Sequence, residues 1–157
     1  MTLWLALCVT GGLGLVRGPG VAGWLNVGMC VATFLASLDM ALGVLRDGPF
    51  LTEDGMFYID AFNVYLVVLT TFVGITTAVF SRPYMAYVMS EGRVKRRRMR
   101  LYHSMYQGFL VTMLLALTTN NLGILWVAVE GATLATVLLV SLYRTPESVE
   151  AAWKYFV

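Results

Sequence analysis

One stretch in the C-terminal third constrains this chain more than any other: NNLGILWVAVEGATLATVLLVSLYR, residues 120–144. Its central 21 residues, 122–142, carry a single formal charge, that of Glu130. At about 1.5 Å rise per residue, a helix of this length crosses a hydrocarbon layer about 30 Å thick. A carboxylate near the bilayer centre costs roughly 2.5–3.5 kcal/mol, which makes Glu130 a candidate functional residue.

The composition of the whole chain agrees with a membrane protein. Of its 157 residues, 59% are hydrophobic and 13% charged, and the mean hydropathy is +0.74. The apolar segments are hydrophobic on all sides, whereas a helix on a water-soluble surface keeps one polar face. We therefore predict an all-α fold, a polytopic membrane helix bundle that forms a single domain.

Turn residues divide this bundle into five transmembrane helices and the start of a sixth. The Arg17-Gly18-Pro19-Gly20 sequence predicts a tight turn, and Arg82-Pro83 predicts the end of a helix. Residues 46–59 are acidic and rich in glycine and proline, which favours an exposed loop. Asp60 and Thr145 are predicted helix caps. The predicted helices cover about residues 2–16, 21–45, 60–80, 101–117, 122–142 and 146–157.

The basic residues indicate how the bundle is oriented in the cell inner (plasma) membrane. Six of the eleven Lys and Arg residues lie between positions 93 and 100. Under the positive-inside rule the loop at 85–100 is cytoplasmic, which places the N-terminus and the loop at 46–59 outside. The same basic cluster could bind nucleic acid, but its position between two spanning helices favours a membrane loop, so no nucleic-acid partner is expected.

No cofactor, metal or catalytic residue is expected from the sequence. Cys8 and Cys30 both lie in apolar segments, without a CxxC motif or a Cys/His cluster. No glycine-rich phosphate loop and no Ser/His/Asp set can be assembled.

Two charged residues are candidates for proton transfer. Glu130 lies fourteen residues before Arg144, roughly 21 Å along its helix, and Lys154 lies nine residues after Thr145, roughly 13 Å along the next. A lysine side chain extends several ångströms, which leaves three arrangements open. Lys154 could pair directly with Glu130, reach it through a water molecule, or extend to the nearer membrane surface.

Two further titratable residues are secondary candidates. His103 follows the basic stretch, beside Tyr102 and Tyr106, where amphipathic rings prefer the headgroup region; this reading is favoured over a proton relay. Asp39 lies six residues before the end of its predicted helix. An interfacial Asp39 that reaches water is favoured over a buried ion pair.

Two segments of the sequence resemble a known family. LYHSMYQGFLVTMLLALTTNNLGILWVAVEGATLATVLLVSLYRTPESVEAAWKYF and IDAFNVYLVVLTTFVGITTAVFSRPYM are similar to component F of the hydrogenase-4 type. These are antiporter-like, proton-conducting membrane subunits, shared with cation/proton antiporter complexes and respiratory complex I. The resemblance covers about residues 59–157, and residues 1–58 match only in hydropathy.

The resemblance implies a role for both candidate residues. Glu130 falls on the glutamate of the family's fifth helix, which is coupled to proton transfer, and Lys154 falls on a lysine of the sixth helix near that pathway. The family's central lysine and the second half of its inverted repeat come later than this sequence reaches. The chain therefore resembles the N-terminal part of such a subunit.

The resemblance also implies partners. These are the other membrane and peripheral subunits of a hydrogenase or complex I-like oxidoreductase, the lipid bilayer, and protons or sodium ions. Three alternatives stay open: a membrane scaffold or anchor, an oligomeric channel, and a non-functional truncated fragment. The scaffold would associate through Glu130-Gly131-Ala132 and the Thr133/Thr136 pair.

Overall fold

Long apolar helices dominate the part of the chain that the computed structural model describes, residues 19–92 and 94–157. Three of them are long and apolar enough to cross a membrane: Val21–Asp47, Ala61–Ser90 and Leu122–Tyr143. The chain is therefore a helical membrane protein, as predicted. The predicted helix at 2–16 lies outside the described residues.

The first described helix, α1 (Pro19–Asp47), is longer at both ends than the predicted helix at 21–45. Its first two residues were assigned to a turn, and that assignment is wrong. A proline fits the first turn of a helix because the N–H that it lacks would have no partner inside the helix there.

A short hairpin replaces the irregular loop predicted at 46–59. Strand β1 (Phe50–Leu51) pairs antiparallel with β2 (Tyr58–Ile59). The Phe57 backbone N–H donates to the Thr52 hydroxyl at 3.0 Å and so closes the turn between the strands. The loop reading was wrong because side-chain and backbone hydrogen bonds order a segment whose composition favours turns.

Helix α2 (Ala61–Ser90) begins as predicted and ends ten residues later than predicted. Asp60 caps it by accepting the backbone N–H of Asn63 at 2.7 Å. The prediction that Arg82-Pro83 ends this helix is wrong, because the helix continues through Pro83. Proline removes one backbone hydrogen bond, and membrane helices tolerate this loss.

Helix α3 (Arg96–Thr118) begins five residues before its predicted start. Together with the longer α2, this leaves only residues 91–95 as the connection. The predicted basic loop at 85–100 is therefore wrong as a loop, since most of it is helical and the basic residues from Arg96 to Arg100 occupy the first turns of α3.

The last two helices both begin at a capping side chain, of which only Thr145 was predicted as a cap. Asn121 accepts the backbone N–H groups of Gly123 and Ile124 at the start of α4 (Leu122–Val140), which ends in a 3-10 turn, Ser141–Tyr143. Thr145 then accepts the N–H of Ser148 at 3.2 Å, at the start of α5 (Pro146–Phe156).

Two hydrogen bonds between segments near the helix ends identify the two ends of the bundle. At one end, the backbone N–H of Asn120, between α3 and α4, donates to the carbonyl of Met56 in the hairpin at 2.7 Å. At the other end, Nη1 of Arg98 donates to the carbonyl of Tyr143 at 3.3 Å. We call these the hairpin end and the basic end.

Candidate proton-transfer site

Glu130 lies near the middle of α4, on the side turned away from α3. Ala128 and Ala132 are buried, and Glu130 is two residues from each of them. At about 100° per residue, this spacing places it close to the opposite face of the helix. Trp126, one turn earlier on that face, is 70% exposed. Glu130 itself is half-buried, so the other described helices cover its side of α4 only in part.

The opposite side of α4 packs closely on α3 because its residues are small. A Cβ atom built on Gly131 would lie 2.9 Å from Cγ2 of Thr112, closer than real Cβ atoms come. Ala128, Ala132 and Ala135 continue this buried side. Small residues allow two membrane helices to approach closely, and here they fix the rotation of α4 and with it the direction of Glu130.

Lys154 lies on α5 in a pair that the sequence analysis did not consider. Its Nζ donates to Oε1 of Glu150 at 2.6 Å, and the two side chains are 74% and 64% exposed. The pair has the favourable order for a helix, with the acid four residues before the base. The signal in the sequence was the Glu-x-x-x-Lys spacing itself.

The described residues do not join Glu130 to Lys154. Within this part of the chain, no hydrogen bond or ion pair involves the Glu130 carboxylate, and Lys154 is held by Glu150. The separation expected along the membrane normal is about 8 Å from helix rise alone. A coupling between the two residues stays a prediction.

The two secondary candidates differ in environment. Asp39 is exposed on α1. His103 is only 3% exposed and lies in the interior of the bundle, so it is not a ring that reaches outward to lipid headgroups. Its Nδ1 atom is buried without a hydrogen-bond partner among the described residues.

A cavity of about 140 Å³ lies next to His103 at the basic end. Residues of α1, α2 and α3 line it. The Arg82 guanidinium in its wall stacks on the ring of Trp24, with its Cζ atom 3.6 Å from the ring centroid. The lining includes Gly23, Arg82, Met85, Met89, Met99 and His103.

A buried amide pair lies one turn further along α3 and was missed at the sequence level. Nε2 of Gln107 donates to Oδ1 of Asn26 at 2.7 Å, and the same nitrogen lies 3.4 Å from Sγ of Cys30. Both amides are 1% exposed. An amide inside an apolar segment was the available signal, because a buried polar group requires a partner.

The described residues contain no group of three or more His, Cys, Asp or Glu side chains that could hold a metal ion. Among the described residues, the candidate site therefore consists of side chains that can bind or release a proton, carried on apolar helices.

The sequence of the chain was compared with protein-family models and with known proteins. No family model matches the chain. Over 137 residues, 87% of its length, the chain is 43% identical to the hydrogenase-4 component F homolog of Methylacidiphilum infernorum (isolate V4). The chain is homologous to this component F protein. The predicted family resemblance is thereby confirmed.

The component F homology also corrects the extent of the resemblance. The alignment includes 137 residues, whereas residues 59–157 number only 99, so the similarity extends well into the first 58 residues. The prediction that this N-terminal part matches only in hydropathy is wrong. The chain spans 28% of the length of the component F homolog.

Proposed function

We propose that the chain is part of a proton-translocating, antiporter-like membrane subunit of a hydrogenase or complex I-like redox complex. In this proposal α1, α2, α3 and α4 all cross the membrane, together with a helix at 2–16, and α5 begins a sixth crossing. Electron transfer belongs to other subunits. The transported ion is the proton, with sodium as the alternative.

The observation that supports this function best is the position of Glu130. It is the single formal charge in a 21-residue apolar stretch, and no described side chain neutralises it. An unpaired carboxylate at this depth is costly unless it takes up a proton or meets a cation. Homology to a component F protein adds independent support, because that name refers to one component of a hydrogenase.

Proton transfer in this proposal depends on the charge of Glu130. When a proton neutralises the carboxylate, the electrostatic stabilisation that it gives to a nearby cation is lost, and that cation releases its own proton more readily. In a low-dielectric site this effect is large. Lys154 is the proposed cation, and it would leave Glu150 to reach Glu130.

The proposed orientation places the basic end in the cytoplasm and the hairpin end outside. Lys95, Arg98, Arg100 and Arg144 all lie near the basic end, and positive residues are retained on the cytoplasmic side. Glu53 and Asp54 lie in the hairpin at the other end. A proton that crosses α4 would therefore pass Glu130 about halfway.

The test is proton pumping by the assembled complex that contains this chain with Glu130→Gln. Gln has nearly the same shape as Glu but cannot carry the proton, so pumping should fall severely while assembly stays normal. Asp39→Asn is the matched control, because it also removes one carboxylate from an apolar helix but at an exposed position. Undiminished pumping in a normally assembled Glu130→Gln complex would overturn the proposal.

A second test concerns Lys154. Lys154→Gln should reduce pumping, whereas Glu150→Gln should not, because in this proposal Glu150 only holds the lysine at rest. Loss of pumping with Glu150→Gln and normal pumping with Lys154→Gln would remove Lys154 from the relay.

The residues assigned to the scaffold alternative make contacts inside this chain. Gly131 contacts α3 inside this chain, and the hydroxyl groups of Thr133 and Thr136 donate to carbonyls of α4 itself. Gly131→Leu would therefore disturb the fold of this chain and would not report on association with a neighbour.

A further inference from the structure

His103 has an unsatisfied polar atom in the interior of the bundle. An imidazole has two nitrogen atoms that each make a hydrogen bond in polar surroundings, and a buried nitrogen left without one is unfavourable. Nδ1 of His103 is in this situation within the described part of the chain. The amides one turn away bond to each other and do not supply a partner.

His103 forms part of the wall of a neighbouring cavity that has room for water. The cavity of about 140 Å³ is well above the volume that one water molecule requires, so it has room for several. Water also requires polar partners, and the wall offers the Arg82 guanidinium as well as the imidazole. The face of that guanidinium stacks on Trp24, which leaves N–H groups at its edge as donors.

The cavity lies at the basic end of the three helices that line it. Its lining comes from the first part of α1, the last part of α2 and the first turns of α3. Further inside, an apolar cluster of Cys30, Ala78, Tyr106 and Leu110 fills the space between the same three helices. Water in the cavity would therefore exchange with solution at the basic end, without a continuous route through these helices.

We propose that this cavity is a hydrated site, and that through its water His103 exchanges protons with the solution at the basic end of the bundle. A protonated water in the cavity gives its proton to the imidazole nitrogen that carries none, and the imidazolium returns a proton to water in the reverse step. This site lies on α3 and is independent of the role proposed for Glu130.

The charged and titratable groups around His103 define its resting state. From α2, Arg82 shares the cavity; from α3, the Tyr102 ring meets the imidazole edge-on at a centroid distance of 5.2 Å. Tyr106 and Cys30, from α3 and α1, lie in the apolar cluster. None of the described residues that line the cavity is Asp or Glu. The Arg82 cation opposes a second positive charge in the cavity.

The experiment uses the single histidine of this chain. In the full chain, labelled with ¹⁵N-histidine and placed in lipid bilayers, NMR magnetisation transfer from water to the imidazole reports on contact with water. We expect clear transfer in the wild type. Its absence would show a dry cavity and would overturn the proposal.

A pair of variants makes the test specific to the cavity. Ala86 lies in the cavity wall but is otherwise exposed, so Ala86→Phe should fill the space and reduce the transfer several-fold. Ala61→Phe, at an exposed position at the other end of the same helix, should leave it unchanged. Equal transfer in both variants would show that the water reaches His103 by another route and would overturn the assignment to this cavity.

Discussion

Asn26 and Gln107 show what a single buried pair contributes to this bundle. We expect Gln107→Leu to lower the free energy of unfolding by about 1 kcal/mol, because Oδ1 of Asn26 then loses its donor at a fully buried position. Reversible unfolding in mixed micelles, wild type against variant, measures the change.

The control for this prediction is a double-mutant cycle. With Asn26→Leu and Gln107→Leu together, no polar group is left without a partner, so the loss should be smaller than the sum of the two single losses. If the two single losses of unfolding free energy simply added up, the hydrogen bond between Asn26 and Gln107 would contribute nothing to stability.

A formal charge inside an apolar stretch is what the sequence offers for choosing candidate site residues. Glu130 stands out because charge is rare in a spanning helix. Burial of His103 and of Gln107 was not predictable, since it depends on how three helices are rotated about one another. The partner of Lys154 was readable from the spacing of Glu150, but only if local pairs within a helix are considered before distant ones.

At the scale of elements, the contact between α3 and α4 depends on one missing side chain. Gly131→Ala should weaken this contact and lower the free energy of unfolding by about 1–3 kcal/mol, because its Cβ would lie 2.9 Å from Cγ2 of Thr112. Unfolding measurements on the single variant give the size of the loss.

The matched variant for this contact is Thr112→Ser, which removes Cγ2 and keeps the hydroxyl that bonds within α3. Combined with Gly131→Ala, it should recover most of the lost stability. No recovery in the double variant would show that the steric contact is not the cause.

The start of α2 provides a second prediction at this scale. Asp60→Ala should cost about 1 kcal/mol, since the backbone N–H of Asn63 loses its acceptor, and Asp60→Asn should cost much less because an acceptor is kept. Chemical unfolding of the two variants compares them directly. Equal losses would indicate that the charge of Asp60, and not the hydrogen bond, matters.

The ends of elements were predictable where capping chemistry decides them and unpredictable where tertiary packing overrides a local signal. The caps Asp60 and Thr145 are local, and both are where the sequence places them. Pro83 does not end α2, because the lengthened helix packs its Met85 against Met99 of α3, a contact that no local pattern shows. The hairpin likewise depends on a contact with Thr119, far along the chain.

At the scale of the whole molecule, the orientation in the membrane can be measured with cysteine labels. In a background where Cys8 and Cys30 are replaced by Ala, Asp54→Cys at the hairpin end should react with a membrane-impermeant thiol reagent added outside intact cells. Lys95→Cys at the basic end should react only after the membrane is opened. The reverse pattern would invert the orientation.

The all-α membrane character of the molecule followed from hydropathy and length alone. The number of spanning helices did not follow from hydropathy and length. Three described helices are long and apolar enough to span, whereas α3 carries its basic residues within the helix itself. A positive charge in a first helical turn and a positive charge in a loop look the same in sequence. Only the continuous backbone from Arg96 distinguishes them.

Whether the Glu130 carboxylate carries a proton during turnover is tested most directly by infrared difference spectroscopy on the assembled complex. We predict a protonated-carboxyl band that appears during turnover, is lost in Glu130→Gln and persists in both Glu150→Gln and Asp39→Asn. A band that persists in Glu130→Gln, in a complex that still pumps protons, would contradict it.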